Sequence, residues 1–255
     1  MNSSTTLLQQ IENSNGNIAI LIDPEKTNTS STLLPIIQKS HQVGVTFFFV
    51  GGSTVRKKDI EFVVNFIKKE SEIPVILFPG SNQQFTPYAD GILYLSLLSG
   101  RNPKYLIEQH IENALEVYQS NVEILPTAYL VIDGENDSSV TKVSQTKPIK
   151  RKDNKLALKT SLAGILQGKK IIYLDSGSGA KKSVPLTIIK EIKKYTKAPI
   201  IIGGGVNSTK KLISFKNLGV SIIVIGNKIE NDLNFFNEIN SFISNKNDIK
   251  IDIKN

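Results

Sequence analysis

Seven consecutive residues, Tyr173-Leu174-Asp175-Ser176-Gly177-Ser178-Gly179, bring together a carboxylate, two hydroxyls and two glycines. A carboxylate accepts hydrogen bonds from hydroxyls, while serine side chains and nearby N–H groups hold phosphate oxygens, so the run suits a small polyol phosphate. Two further glycine loops follow. Gly203-Gly204-Gly205 precedes a helix expected to begin near Asn207, and Gly226-Asn227 closes a later apolar run. Glycines let backbone N–H groups approach an anion, and a helix N-terminus adds partial positive charge. A capped turn entering a helix would use the same residue types, so the pairing of the two loops carries the phosphate reading.

A second group is acidic. Leu21-Ile22-Asp23-Pro24-Glu25-Lys26 ends an apolar run in a carboxylate, and Gly51-Gly52-Ser53-Thr54 ends another in hydroxyls. Asp23 and Ser53 are hard oxygen donors of the kind Mg2+ takes, with water and substrate phosphate filling its octahedron. Asp23 alone would equally serve as a helix cap. Arg101, in Leu98-Ser99-Gly100-Arg101-Asn102, is one of few arginines and can grip phosphate in a bidentate manner, or simply start a helix. His41 and His110 fall within expected helices and receive no catalytic role.

These residues sit at the ends of regularly spaced apolar, β-branched runs: 18–22, 46–50, 75–78, 91–95, 127–132, 170–174, 199–202 and 221–225. Their near-continuous hydrophobicity predicts strands buried on both faces. Helical spacing recurs at 31–41, 57–69, 103–118, 156–167, 185–195, 208–218 and 233–243, while 82–89 is short and irregular. Alternation of this kind over 255 residues predicts an α/β (β/α)8 TIM barrel of the phosphate-binding type, with functional groups after the strand ends. It is expected to form a single domain over 1–255, with a polar N-terminal extension at 1–17 and a tail at 246–255. The long lysine-rich stretch 133–154 reads either as a functional loop or lid over the barrel mouth or as an ordinary mobile surface loop.

Composition narrows the chemistry. Without cysteine, thiolate metal sites and cysteine nucleophiles are excluded, and a reducing, cytoplasmic setting is expected. No apolar run reaches the roughly 20 residues of a membrane span, and the polar start does not resemble a signal peptide. The net charge of +8 suits phosphorylated substrates or an anionic membrane surface; zinc-finger spacing and RNA-recognition motifs are missing, so nucleic acid is not expected as a partner.

Read in order, 21–26, 51–53, 97–103, Gln109-His110, Pro126-Thr127-Ala128-Tyr129, Thr146-Lys147-Pro148, 173–180, 203–205 and 226–227 resemble the motifs of geranylgeranylglyceryl phosphate synthases and the related bacterial heptaprenylglyceryl phosphate synthases. The resemblance spans roughly Ile18 to Glu230. It implies a Mg2+-dependent prenyltransferase that joins sn-glycerol 1-phosphate to a polyprenyl diphosphate through an ether bond. It further implies that Asp23 and Ser53 hold the metal, and that Tyr173 to Gly179 with Gly203, Gly204, Gly226 and Asn227 bind glycerol 1-phosphate. The prenyl chain would lie in an apolar groove. Homo-oligomers and transient membrane contact are expected. Asp175 stands where the family commonly has glutamate, and it is the expected orienting group and proton acceptor. Two other readings stay open: a sugar-phosphate isomerase or lyase using Asp23 and Asp133, and a non-catalytic binder of phosphates or membranes.

Overall fold

The protein, described by a computed structural model, is seen over residues 5–251, with side chains described to residue 244. Residues 252–255 of the expected tail at 246–255 lie outside the described residues, and of 246–251 only the backbone is described, as the end of the last helix. Eight strands run in parallel and close in chain order: β1 Asn17–Ile22, β2 Phe47–Val50, β3 Val75–Leu77, β4 Gly91–Leu97, β5 Glu123–Val131, β6 Ile171–Asp175, β7 Ile200–Gly203 and β8 Ile222–Ile225. The helices are α1 Leu7–Glu12, α2 Ser30–Val43, α3 Lys57–Glu70, α4 Gln109–Gln119, α5 Ser139–Ser144, α6 Asn154–Leu166, α7 Leu186–Lys193, α8 Thr209–Asn217, α9 Asn227–Asn231 and α10 Phe235–Ile251.

Strand alternation divides the apolar side chains into two cores. Ile18, Ile20 and Ile22 of β1, with Leu130, Ile172, Leu174 and Ile202, point outward against the helices. Ala19, Phe47, Phe49, Leu93, Leu125, Tyr129, Tyr173 and Ile201 fill the barrel. The bottom is closed by a part of the chain expected to be only a polar extension. Thr6 caps α1 in a reciprocal capping box with Gln9. The N–H groups of Leu7 and Leu8 then donate to the Glu123 carboxylate at 2.7 and 2.8 Å. Leu7 and Ile11, four apart on one helical face, join the inner core.

One seam of the barrel is incomplete. β3 pairs with β4 only through Ile76 with Gly91 and Leu77 with Ile92, whereas β4 continues to Leu97. A single 3-10 turn, Asn82–Gln84, stands where other strands are followed by a helix. The expected helix at 103–118 is also altered: it opens with a π turn over Lys104–Glu108 before α4 begins. β5 starts earlier than expected, pairing with β4 from Glu123, and Pro126 masks that start in the sequence. Its carbonyl still accepts from Lys170 N–H at 2.8 Å, so the ladder survives the missing donor. The stretch 133–154 is folded back by a bridge between Ile132 and Ile149 and carries α5.

Candidate active site

At the C-terminal ends of the strands lies a cavity of about 550 Å3. Its wall includes Asp23, Ser53, Tyr173, Asp175, Gly177, Ser178, Gly179, Gly203, Gly204, Gly226 and Asn227, so residues from five separate stretches converge as the sequence reading requires. Asp175 ends β6 facing inward and is 7 % exposed. Its Oδ2 accepts from the Tyr129 hydroxyl at 2.6 Å and its Oδ1 from Gly177 N–H at 2.7 Å. Burial raises the Asp175 pKa, and the hydrogen bonds from Tyr129 and Gly177 offset only part of that rise. Burial first, and then the neighbouring Asp175 charge, push Tyr129 and Tyr173 well above the ordinary phenol range, so both stay protonated.

The ring of Tyr173 stacks on Phe78 at 5.1 Å between centroids, and Tyr129 meets both edge-on. The glycine loop after β7 packs onto this layer. A Cβ on Gly203 would lie 2.6 Å from the Tyr173 hydroxyl. Gly204 has φ +78°, and a Cβ there would lie 2.7 Å from the Gly177 carbonyl oxygen. Only glycine lets the two loops touch in this way. Across the cavity, Ser178 Oγ donates to Asn227 Oδ1 at 3.0 Å, tying the β6 loop to the start of α9.

Three expected ligands are placed elsewhere. Leu174 points into the outer core, because alternation sends it opposite to Tyr173 and Asp175. The Ser176 hydroxyl is buried behind the loop, where no hydrogen-bond partner is seen among the described residues, and it does not line the cavity. Arg101 has φ +53°, a left-handed turn that directs it out of the mouth; it borders a separate depression of about 500 Å3 with Lys159 and Thr160. Asp133 does not line the mouth either, and its Oδ1 accepts from Glu135 N–H at 2.8 Å. The structure does not bring Asp133 onto the cavity wall beside Asp23.

Asp23 and Ser53 lie on the β1 and β2 side of the same wall. The Asp23 carboxylate is partly exposed and accepts from Glu25 N–H at 3.1 Å, while Lys26 Nζ approaches it at 3.4 Å. Among the described residues no three His, Cys, Asp or Glu side chains converge into a metal cage. The pair at the mouth is instead a carboxylate and a hydroxyl with cavity space before them, a donor set that fits Mg2+.

A narrow extension of about 80 Å3 opens at the incomplete seam, lined by Ile92, Leu93, Leu95, Leu97, Tyr105, Val140 and Val143. Ser53, Pro79, Gly80, Leu95, Tyr129 and Val140 belong to both walls, so it adjoins the main cavity. His110 supports its outer side: the ring stacks on Tyr94 at 4.2 Å and Nε2 lies 2.7 Å from the Leu95 carbonyl oxygen. Sequence reasoning placed Tyr129 and His110 within the family motifs but gave neither a role in the site. The inward parity shared by Tyr129 and Tyr173 was the available signal for the first.

A closed parallel barrel with glycine loops after β6, β7 and β8, a buried carboxylate and an adjoining apolar groove defines a (β/α)8 enzyme scaffold of the phosphate-binding type. Residues 10–244 match the PcrB family, and the chain belongs to it. It is 46 % identical to the geranylgeranylglyceryl phosphate synthase of Zunongwangia profunda, over 84 % of this chain and 91 % of that protein. With the Flavobacterium johnsoniae protein of the same name it shares 42 % identity, over 91 % of this chain and 97 % of that one. The solved (S)-3-O-geranylgeranylglyceryl phosphate synthase of Thermoplasma acidophilum, in complex with substrate sn-glycerol-1-phosphate, superimposes with a TM-score of 0.87 at 27 % identity, covering 94 % of this chain and 98 % of that one.

Proposed function

We propose that this chain joins a polyprenyl diphosphate to sn-glycerol 1-phosphate, forming an ether-linked prenylglyceryl phosphate and releasing diphosphate. The observation that carries this reading is the adjacency of two unlike spaces: a glycine-lined cradle around Asp175 shares Leu95, Tyr129 and Val140 with the wall of an apolar groove. The names of the relatives and the substrate of the Thermoplasma acidophilum enzyme support it. In this reading the acceptor's phosphate rests against the loops at Gly177 to Gly179, Gly203, Gly204, Gly226 and Asn227. Asp175 accepts a hydrogen bond from the attacking hydroxyl. The oxygen bonds to the prenyl C1, the bond to diphosphate breaks with its electron pair, and the hydroxyl proton passes to Asp175. A carboxylate of raised pKa suits that last step. Alignment of both substrates in one mouth supplies the entropic part of the acceleration.

Asp23 and Ser53 would hold Mg2+, which when bound neutralises the diphosphate leaving group. Asp23→Asn should keep the fold and lose most activity, because a neutral amide is a weaker ligand; full activity at ordinary Mg2+ would remove Asp23 from this role. No described helix is long and apolar enough to cross a membrane. We propose a cytoplasmic protein whose lysines touch anionic membranes transiently while it takes up prenyl substrate. Self-association fits the outer face of the α4 region, where Ile107, Ile111, Leu115 and Tyr118 are exposed. The central assay combines purified protein, Mg2+, glycerol 1-phosphate and prenyl diphosphates of several lengths, with products separated by mass. Saturable ligand binding without an ether product would mark a binding protein instead.

A further inference from the structure

Prenyl transfer leaves a diphosphate at a mouth whose own charge is unfavourable to it. Asp23, Glu25, Asp175 and Glu230 line the cavity, against Lys26 and Lys228. Lys228 is engaged elsewhere, with Nζ 2.9 Å from Asp232 and positioned over the Phe235 ring. Lys26 is differently placed. Its ammonium bridges Glu230 Oε2 at 3.1 Å and Asp23 Oδ2 at 3.4 Å. The Glu230 side chain is 9 % exposed, whereas that of Lys26 is 43 % exposed and reaches the cavity. The firmer contact is therefore with the buried partner, and the looser one is with the carboxylate assigned to the metal. An ion held by Asp23 would compete for that looser contact, and losing it would free part of the ammonium's three-donor capacity without loosening its anchor.

We propose that Lys26 binds the diphosphate of the prenyl substrate, passing to it from Asp23, and that Glu230 is the residue that positions Lys26 for this exchange. The inference rests on the prenyl-transfer reading above and adds a ligand to it. In the free protein Lys26 neutralises Asp23; in the loaded protein it meets the leaving group on the β1 side, opposite the Asp175 loop.

Binding of inorganic diphosphate in the presence of Mg2+, and separately of glycerol 1-phosphate, is measured by calorimetry on wild type, Lys26→Met, Lys26→Arg and Glu230→Gln. Steady-state kinetics are run on the same proteins, with circular dichroism as the folding control. Lys26→Met is expected to weaken diphosphate binding about tenfold or more, the loss of a charge-assisted hydrogen bond, and to raise KM for the prenyl diphosphate. Glycerol 1-phosphate affinity should be unchanged. Lys26→Arg keeps the charge and should recover most of the affinity. Glu230→Gln should raise the same KM with kcat retained, a split that general loosening of the mouth would not produce. Unaltered diphosphate affinity in a folded Lys26→Met protein, or an equal loss for both anions, overturns the proposal. Wild-type protein that binds diphosphate through Lys26 but forms no ether product would leave this site standing and sink the prenyl-transfer reading instead.

Discussion

The two sides of the mouth are built on opposite principles. From β6 to β8 the wall is backbone: Gly203 and Gly204 lie so close to Tyr173 and Gly177 that neither has room for a Cβ. From β3 to β4 the wall is side chain, lining a gap where only two residue pairs hold the strands together. Fixed dipoles in tight loops bind a compact anion well because they need no reorganisation. A long apolar tail is bound by area instead, and a seam that opens between strands supplies area without breaking the barrel. Each half should therefore fail separately when mutated.

Gly204→Val gives the largest separation. A β-branched residue at φ +78°, with its Cβ 2.7 Å from the Gly177 carbonyl oxygen, forces the two loops apart. Backbone strain of this kind reaches about 3 kcal/mol, so glycerol 1-phosphate binding should fall on the order of 100-fold while prenyl diphosphate binding persists. Equal loss for both ligands would mean general misfolding and would erase the comparison.

Asp175→Asn acts on the same half through turnover more than through binding. Loss of the proton acceptor should slow turnover by roughly 100-fold or more, with a smaller effect on acceptor binding because the amide keeps a hydrogen-bonding oxygen. Stability should move the other way. The folded-state pKa of Asp175 is raised by burial, so the unfolded chain releases its proton first as pH rises, and stability falls across that window. An amide escapes that loss, so the variant should melt higher than wild type at neutral pH. Wild-type melting there would imply that the carboxylate is better solvated than its surroundings indicate.

On the groove side, His110→Ala removes the stack on Tyr94 and the contact with the Leu95 carbonyl. Burial lowers the His110 pKa, so the ring acts as a neutral support. Its loss should raise KM for the prenyl diphosphate up to about tenfold, the scale of one aromatic contact, and leave KM for glycerol 1-phosphate alone. A change in the second constant would show that the halves are coupled through the barrel wall.

The same contrast explains what the sequence disclosed. Strands buried on both faces write themselves as apolar runs, so all eight were legible, and glycines at strand ends marked the cradle because few other roles require them there. Asp175 was legible as a charge at the end of an apolar run. The groove was not, since Leu93, Leu95 and Leu97 belong equally to a filled core and to an open wall; only the pairing of β3 and β4 tells which. Leu7 and Ile11 were hidden by polar neighbours, and their burial depends on a docking partner, Glu123, far away in the chain. Arg101 misled because residue type foretells what a side chain can bind but not which way a left-handed turn sends it.

Tyr129→Phe should have the smallest effect, and it probes the boundary itself, because this residue lines both spaces. The hydroxyl donates to Asp175 at 2.6 Å, a bond that favours the charged carboxylate and restrains the rise caused by burial. If ionised Asp175 is needed for turnover, activity falls as pH drops through its folded-state pKa, and the acidic limb of wild-type kcat lies above the ordinary aspartate range. Deleting the hydroxyl removes the restraint, so the limb should move to still higher pH. Well above the limb Asp175 is ionised in both proteins, and kcat should be nearly equal. The phenyl ring remains to fill the groove wall, so KM for the prenyl diphosphate should not change. A pH–rate profile for each protein, taken with both substrates saturating, measures the shift directly. A limb that stayed in place would mean that Tyr129 does not tune Asp175, whereas a rise in prenyl diphosphate KM at every pH would move Tyr129 wholly to the groove side.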